Sequence, residues 1–308
     1  MKNNLVYRTN PLDFKTVFEN IVQGMCSYLT EHRINAMVLG ISGGIDSTLT
    51  AAIAKEVNTR TDIPLIGISL PCSTNMADEN EAAQLVMEEF CNEHSTCYLE
   101  DVFAVMNEFC EQASKRKETP ISQGNVKARL RMITLYDIAS KIGGVVLDTD
   151  NLTEHFLGFF TLHGDCADLN PIGCLWKNEV YGLAKWLKDN VYPNSKALEA
   201  SIKLIPTDGN GVKAGGDLAQ IAPNKTYDDV DEILQAWVGM TPTRQGYAIA
   251  NDFMCDELEG LNYTHGFDIV KGVITRSINS EFKRGQAPYV IDIYNKAVLE
   301  KNLNPIEF

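Results

Sequence analysis

Apolar positions follow two alternating periods along the first 200 residues. Helical spacing, with apolar side chains three or four positions apart, predicts helices at 13–31, 47–58, 77–94, 126–144 and 178–190. Short continuous apolar runs predict buried strands at 36–41, 65–71, 97–103 and 145–149. This alternation favours an α/β fold with a parallel sheet flanked by helices on both faces.

The apolar pattern loosens after residue 200. Glycine-rich residues 207–225 hold few large apolar side chains and predict a long loop, and helical spacing returns at 228–238. Loops of that length are usually functional or disordered. From about residue 279 the chain mixes basic and turn-forming residues.

Ligands of parallel α/β sheets bind at the carboxyl ends of the strands. The loops after the first, second and fourth predicted strands are therefore the expected place for chemistry. Their sequences are GISGGIDST (40–48), LPCSTN (70–75) and DTDNLTE (148–154).

The first of these loops has the composition of an anion site. Gly43 and Gly44 let backbone N–H groups approach an anion closely, and the following helix adds its positive end. The hydroxyl groups of Ser42, Ser47 and Thr48 are further candidate donors. The loop has neither the lysine of G-x-x-x-x-G-K-[ST] nor the spacing of G-x-G-x-x-G, so it is a different type of phosphate loop.

An aspartate in that loop needs an explanation, because a carboxylate beside phosphate is repulsive unless a cation lies between them. Mg²⁺ typically binds one or two carboxylates together with phosphate oxygens. We therefore predict that Asp46 is a Mg²⁺ ligand facing a pyrophosphate group. The alternative is an aspartate that only caps its helix.

Composition narrows the possible partners. The formal net charge of −14 disfavours nucleic acid and anionic membranes, whereas a Mg²⁺-bound ligand suits an acidic site. No apolar run approaches the ~20 residues of a membrane helix, and the N-terminus has no apolar signal region, so a cytoplasmic protein is expected. None of the eight cysteines forms a C-x-x-C pair.

The loop S-G-G-I-D-S at 42–47 resembles the signature of the N-type ATP pyrophosphatases, which cleave ATP between the α and β phosphates and adenylate a substrate. Three further stretches, in the same order, are similar to the NAD synthetase family. They are QGNVKARLRM (123–132), DTDNLTEHFLGFFTLHGDCADLNPIG (148–173) and IPTD (205–208). The resemblance spans roughly residues 15–290.

The resemblance implies an adenine nucleotide alpha hydrolase-like (Rossmann-like) fold. It also implies ATP-dependent amidation of deamido-NAD to NAD through an acyl-adenylate, with release of AMP and pyrophosphate. ATP is then a co-substrate and Mg²⁺ the implied metal. The nitrogen donor is expected to be free ammonia, because the chain has no room for a glutaminase domain.

The resemblance also assigns roles to individual residues. It implies ATP contacts at Gly40, Ile41, Ser42, Gly43, Gly44, Ile45, Asp46, Ser47, Thr149, Lys177 and Thr207. It implies deamido-NAD contacts at Arg129, Asp168, Phe282 and Lys283. Asp46 and Glu154 match the metal ligands, and Asp46, Asp168 and Lys177 match the catalytic positions.

The chain also departs from the family at three positions around the dinucleotide. Asp148 stands where glycine is usual, Leu162 where some members have lysine, and Phe282 where histidine is usual. On the predicted helix, Arg129 and Arg131 lie roughly 200° apart, so both cannot face one ligand. These departures leave a catalytically inactive nucleotide-binding homologue as one alternative. The second alternative is another enzyme of the ATP pyrophosphatase group, either an amidase or a tRNA-modifying thiolase. The net charge and the lack of a C-x-x-C pair disfavour the thiolase.

The resemblance implies one domain over residues 1–308. Within it we expect an ATP pyrophosphatase core at about 34–200, a mobile loop at about 206–225 and a closing segment at about 277–308. Members of the family are typically homodimers, so a homodimer is expected here.

Overall fold

A computed structural model of the chain describes residues 12–73, 77–204 and 216–284. In these ranges four parallel strands form one sheet in the order β3-β2-β1-β4. The strands are β1 (Met37–Gly40), β2 (Leu65–Ser69), β3 (Glu93–Thr96) and β4 (Val145–Leu147). In the register, Met37 of β1 lies level with Leu65 of β2 and Val145 of β4. The predicted α/β class with a parallel sheet is confirmed.

Helices account for most of the remaining described chain. They are α1 (Phe14–Glu31), α2 (Ile45–Thr61), α3 (Ala77–Phe90), α4 (Glu100–Ser114), α5 (Pro120–Ile142), α6 (Leu152–Leu157), α7 (Lys177–Asn190), α8 (Lys196–Lys203), α9 (Gly216–Ile221), α10 (Tyr227–Gly239), α11 (Pro242–Ala250), α12 (Asp256–His265), α13 (Phe267–Asn279) and α14 (Glu281–Arg284). In none of the described ranges is a helix long and apolar enough to cross a bilayer.

The sheet is covered on both faces, because successive side chains of a strand point to opposite sides. Met37 and Leu39 pack with α1, α2 and α7 in one apolar cluster. Val38 and Val146 pack on the other side with residues of α5. The apolar runs of the central strands thus follow from burial on both faces.

The predicted third strand at 97–103 is wrong. The structure places β3 at Glu93–Thr96, at the edge of the sheet, with all four residues exposed. A polar edge strand gives no apolar signal, and the apolar residues after it belong to the amphipathic helix α4, where Phe103 and Met106 pack toward the sheet.

The C-terminal part is more regular than the sequence indicates. Helix α9 lies inside the predicted loop, with Leu218 buried, and helices α10 to α13 share a second apolar cluster. Leu152 of α6 and Trp176, just before α7, belong to this cluster as well. Helix α6 and the start of α7 therefore lie where the C-terminal helices pack against the rest of the fold. The predicted contact Thr207 and the closing segment beyond residue 284 lie outside the described residues.

Candidate active site

The loop between β1 and α2 requires glycine at position 43. Gly43 has a φ of +84°, in the left-handed region that favours glycine. A Cβ there would lie 2.4 Å from the carbonyl oxygen of Glu79 and 2.8 Å from the backbone nitrogen of Ala83. Both atoms belong to the backbone of α3, so the loop is pressed against that helix.

Hydroxyl groups brace this loop from within. The hydroxyl oxygens of Ser42 and Ser47 lie 3.0 Å apart, and that of Ser42 accepts a hydrogen bond from the Gly44 N–H. The predicted role as an anion donor is wrong for Thr48. Its side chain is fully buried and donates to the carbonyl oxygen of Gly44 at 2.8 Å.

The two isoleucines of the loop hold it against the hydrophobic core. Ile41 and Ile45 are buried in the apolar cluster beneath the loop. Gly40 ends β1 immediately before them. At these three positions only backbone groups are available for the predicted ATP contacts.

Three charged side chains from three elements meet at the carboxyl edge of the sheet. The Nζ of Lys177 lies 2.5 Å from Oδ2 of Asp46 and 3.0 Å from Oε1 of Glu154. Asp46 lies in the first turn of α2, Glu154 in the first turn of α6, and Lys177 is the first residue of α7. The sequence prediction that the loops after β1 and β4 converge is therefore correct for these residues, which we call the three-residue centre.

Asn151 fixes the position of Glu154 in this centre. It is the N-cap of α6, and its side-chain oxygen accepts from the Glu154 N–H at 3.1 Å. In return, Oε2 of Glu154 accepts from the Asn151 N–H at 3.2 Å, which completes a capping box. The amide nitrogen of Asn151 also donates to Oδ1 of Asp46 at 2.9 Å. One N-cap residue thus links both carboxylates.

The electrostatics of the centre follow from its burial. The side chain of Lys177 is only 3% exposed and those of Asp46 and Glu154 are 18% exposed. Burial raises the pKa of Glu154 to about 7, against the lowering effect of Lys177. Burial alone would lower the pKa of Lys177, but the two carboxylates outweigh it and hold that pKa well above its usual value. Lys177 is therefore a permanent cation at this site.

Asp148 serves as a structural link between two loops. Its two carboxylate oxygens accept hydrogen bonds from the N–H groups of Asp150 at 2.7 Å and Ala167 at 3.0 Å. Burial raises the pKa of Asp148, and these two hydrogen bonds oppose the shift. The carboxylate joins the loop after β4 to the 166–169 segment. Thr149, directly after it, is partly buried.

Asp168 is bonded away from the three-residue centre. Its Oδ1 accepts from the hydroxyl of Tyr136 at 2.9 Å, and its Oδ2 accepts from the N–H of Val146 in β4 at 2.9 Å. The residue as a whole is nevertheless exposed.

The two arginines of α5 point to different partners, as their angular separation predicts. Arg129 is exposed and donates to the carbonyl oxygen of Leu162 at 3.1 Å. Arg131 is partly buried and donates to the carbonyl oxygen of Leu70 at 3.1 Å. Arg131 thus bonds to the loop after β2, whereas Arg129 lies on the exposed side of α5.

The C-terminal site residues lie against the end of α6. The Nζ of Lys283 donates to the carbonyl oxygens of Gly158 at 2.7 Å and Phe160 at 2.6 Å. Phe282, beside it, is 70% exposed. Lys283 therefore holds the segment that follows α6, and Phe282 faces solvent.

Sequence reasoning missed three residues that support the centre, namely Asn151, Thr153 and Asp231. Asp231 of α10 has no exposed surface and bonds to Thr153 and to the start of α7. The N-x-x-E spacing of the α6 capping box was a usable signal for Asn151. No sequence signal pointed to Asp231, because the run YDDVDE has the composition of a solvent-exposed acidic helix face.

The burial of Asp231 predicts a pH dependence of stability. Burial raises its pKa to about 7, so between its unfolded value of 3.8 and pH 7 the folded state holds more protons than the unfolded state. The stabilising effect is complete below pH 3.8 and is lost as the pH rises through 7. From pH 5.5 to 8, the unfolding free energy of wild type should fall relative to Asp231→Asn by about 2 kcal/mol, at 1.36 kcal/mol per pKa unit. Urea unfolding of both proteins at the two pH values measures this, and parallel pH curves would contradict it.

Comparison with known proteins adds sequence relatives and solved structures. The sequence profile of the NAD synthase family matches residues 17–253. The NH(3)-dependent NAD(+) synthetase of Wolinella succinogenes is 34% identical over 281 residues, covering 91% of this chain and 96% of that protein. The crystal structure of the NAD+ synthetase of Burkholderia pseudomallei is 26% identical with a TM-score of 0.60, covering 78% of this chain and 87% of that one. The NMN synthetase structure from Francisella tularensis has a TM-score of 0.68 at 23% identity, covering 92% of this chain and all of that one, and shows the fold alone.

Proposed function

The chain belongs to the NAD synthase family, and from this premise we propose that its three-residue centre activates a carboxylate with ATP. The reaction is the ATP-dependent amidation of deamido-NAD to NAD with ammonia. The enzyme is a ligase with the adenine nucleotide alpha hydrolase-like fold. The observation that carries the proposal is the meeting of Asp46, Glu154 and Lys177 beside the glycine loop.

A carboxylate does not react with ammonia in water, because it has no good leaving group. The mechanism therefore begins by attaching AMP to the carboxylate. The nicotinate carboxylate attacks the α-phosphorus of ATP, a new O–P bond forms, and pyrophosphate leaves. Ammonia then attacks the acyl carbon, loses a proton, and AMP leaves with one of the original carboxylate oxygens. The chain mainly positions the reactants and neutralises phosphate charge. Lys177, the loop N–H groups and the positive end of α2 suit that task.

The residues present fit the implied Mg²⁺. Two carboxylates, Asp46 and Glu154, already share one positively charged group, and carboxylate oxygens are the ligands that Mg²⁺ prefers. No cluster of three potential metal-ligating side chains occurs in the described part of the chain. Two suffice when phosphate oxygens complete the coordination. When bound, the ion would neutralise triphosphate charge and improve pyrophosphate as a leaving group.

The other predicted roles belong to the same proposal. Thr149 and Thr207 are proposed ATP contacts, and Arg129, Asp168, Phe282 and Lys283 are proposed to line the dinucleotide site. The exposure of Asp168 and Arg129 supports this assignment, because exposed residues are accessible to a ligand. We place the enzyme in the cytoplasm, where ATP and dinucleotides are used.

An exposed apolar surface supports a homodimer. Helices α4 and α5 cover the same face of the sheet, and α4 has no fully buried residue. Five apolar side chains of these two helices are 54–76% exposed, namely Val102, Val105, Phe109, Ile121 and Ile133. We propose that they form one surface. Such a surface marks a protein interface. A second copy of the chain is the proposed occupant, and Tyr136 of α5 would connect this interface to Asp168.

The dimer proposal predicts the effect of charges on α4. The double substitution Val105→Glu and Phe109→Glu buries two carboxylates in the proposed interface, so the protein should become monomeric. Sedimentation velocity measures the change, and Tyr263→Glu at a 93% exposed position of α12 is the control. A wild-type protein that sediments as a monomer at micromolar concentration would refute the dimer.

The activity itself is tested by NAD formation from ATP, Mg²⁺ and deamido-NAD. Ammonium should support the reaction and glutamine should not. Nicotinate mononucleotide is the comparison acceptor, because the Francisella relative is an NMN synthetase. Pyrophosphate release with a different acceptor only would indicate another amidase of the superfamily. Binding of ATP without any release would indicate an inactive homologue.

A further inference from the structure

A buried carboxylate of the C-terminal helices reaches the elements that carry the three-residue centre. Asp231 lies on α10, and its side chain is fully enclosed. Its Oδ1 accepts from the hydroxyl of Thr153 at 2.5 Å, and its Oδ2 accepts from the N–H of Asn178 at 2.8 Å. Thr153 belongs to the first turn of α6, and Asn178 belongs to the first turn of α7.

The hydroxyl of Thr153 connects Asp231 to the first turn of α7. The hydroxyl oxygen of Thr153 accepts from the Lys177 N–H at 2.9 Å, so its own proton is free to donate to Asp231. The first two N–H groups of α7 are thus satisfied by Thr153 and Asp231. Helix starts need such acceptors, and the N-cap residue Trp176 has no side-chain acceptor to offer. Asp231 and Thr153 together replace the missing cap.

Thr153 and Asn178, the partners of Asp231, are adjacent in sequence to two members of the three-residue centre. Thr153 precedes Glu154, and Lys177 precedes Asn178, so the Asp231 carboxylate holds the backbone on which both Glu154 and Lys177 are mounted. The 3.0 Å contact between Glu154 and Lys177 depends on where α6 and α7 begin. A displacement of about 1 Å in such a centre typically costs 10²-fold in rate.

We propose that Asp231 is a positioning residue for the ATP-cleaving centre, acting through Thr153 and the first turn of α7. The proposal rests on the proposed function, because the centre is the one assigned there to ATP cleavage. It makes the C-terminal helices, which contribute no member of the centre, part of the catalytic apparatus.

The energetics support a role beyond packing. Asp231 has no exposed surface, and burial raises its pKa to about 7. Asp228 adds to this shift, and hydrogen bonds from Thr153 and Asn178, together with the charge of Lys177, oppose it. An ionised carboxylate at this place costs stability that an amide would not cost. If the side chain at position 231 served packing only, a neutral group would give a more stable protein than a carboxylate.

The test compares isosteric variants. Asp231→Asn keeps the size of the side chain but presents an N–H₂ group to Thr153, and Thr153→Val removes the hydroxyl. Each should lower kcat for NAD formation by 10- to 100-fold and change KM for deamido-NAD less than threefold. Thr153→Ser retains the hydroxyl and should recover most of the loss. The double variant should be no worse than either single variant, because both break one connection.

The matched control is Asp228→Asn, an exposed acid on the same helix, which should keep the wild-type kcat. Full kcat in Asp231→Asn, or additive losses in the double variant, would overturn the proposal. ATP affinity measured by calorimetry without an acceptor separates this proposal from the proposed function. If wild type makes no NAD, the proposed function fails. Positioning would still be supported if Asp231→Asn and Thr153→Val, but not Asp228→Asn, bind ATP tenfold more weakly than wild type. Unchanged ATP affinity in both variants would then overturn it.

Discussion

Replacing Asp46 with asparagine is expected to lower the rate of NAD formation about 10³-fold while leaving the fold intact. The amide keeps the size of the carboxylate, and its oxygen still accepts from Asn151, whose amide nitrogen lies 2.9 Å from Asp46. What is lost is the negative charge that faces the cation. Removing such charge stabilisation from a phosphoryl-transfer centre typically costs several kcal/mol, which is about a thousandfold in rate.

The measurement is steady-state NAD formation as a function of Mg²⁺ concentration at saturating ATP. If Asp46 helps to bind the ion, the variant should also need more Mg²⁺ for half-maximal activity. The control is Asp62→Asn at the opposite end of α2, where Asp62 is an exposed C-cap in the left-handed region that asparagine tolerates. A variant at position 46 with wild-type activity would remove this residue from the proposed site.

Replacing Lys177 with methionine should affect stability and activity together. The apolar stem is retained, but two partly buried carboxylates lose their shared cation, and removing one partner of a buried ion pair typically costs about 3 kcal/mol. The loss of a charge that neutralises phosphate should reduce the rate by about 10²- to 10³-fold.

Thermal unfolding with and without Mg²⁺ separates the two effects. Without lysine, Asp46 and Glu154 have no cation between them, so added Mg²⁺ should raise the Tm of the variant more than the Tm of wild type. The control is Lys185→Met on the exposed side of the same helix, which should change neither property. Equal Mg²⁺ responses in Lys177→Met and wild type would contradict the idea that the two carboxylates form a cation site.

Much of the core could be predicted from the sequence, because burial on both faces of a parallel sheet leaves a strong apolar pattern. Strands β1, β2 and β4 and helices such as α1 (Phe14–Glu31) were predicted within a few residues. The polar edge strand β3 was misplaced, since exposed residues carry no periodic signal. The helices after residue 200 were largely missed, because they bury their apolar faces against one another in short segments.

Some residues of the candidate site could be predicted from the sequence and others could not. The glycine loop and Asp46 were predictable from chemistry alone, because phosphate binding restricts the residue types that fit. Glu154 and Lys177 were assigned only through resemblance, since a single acid or lysine is usually a surface residue. Asp231 was not predictable, because its role depends on a contact with Thr153 across 78 residues. The use of Asp148 as a link between two loops was likewise visible only in three dimensions.

The most direct test of carboxylate adenylation is an ¹⁸O-labelling experiment. Deamido-NAD labelled with ¹⁸O in both oxygens of the nicotinate carboxylate is converted with ATP, Mg²⁺ and ammonium, and the products are examined by mass spectrometry. If the carboxylate attacks the α-phosphorus, AMP carries one ¹⁸O, the NAD amide carries the other, and pyrophosphate carries none. Label in orthophosphate together with formation of ADP would show attack at the γ-phosphorus. That result would contradict the carboxylate adenylation proposed for the centre of Asp46, Glu154 and Lys177.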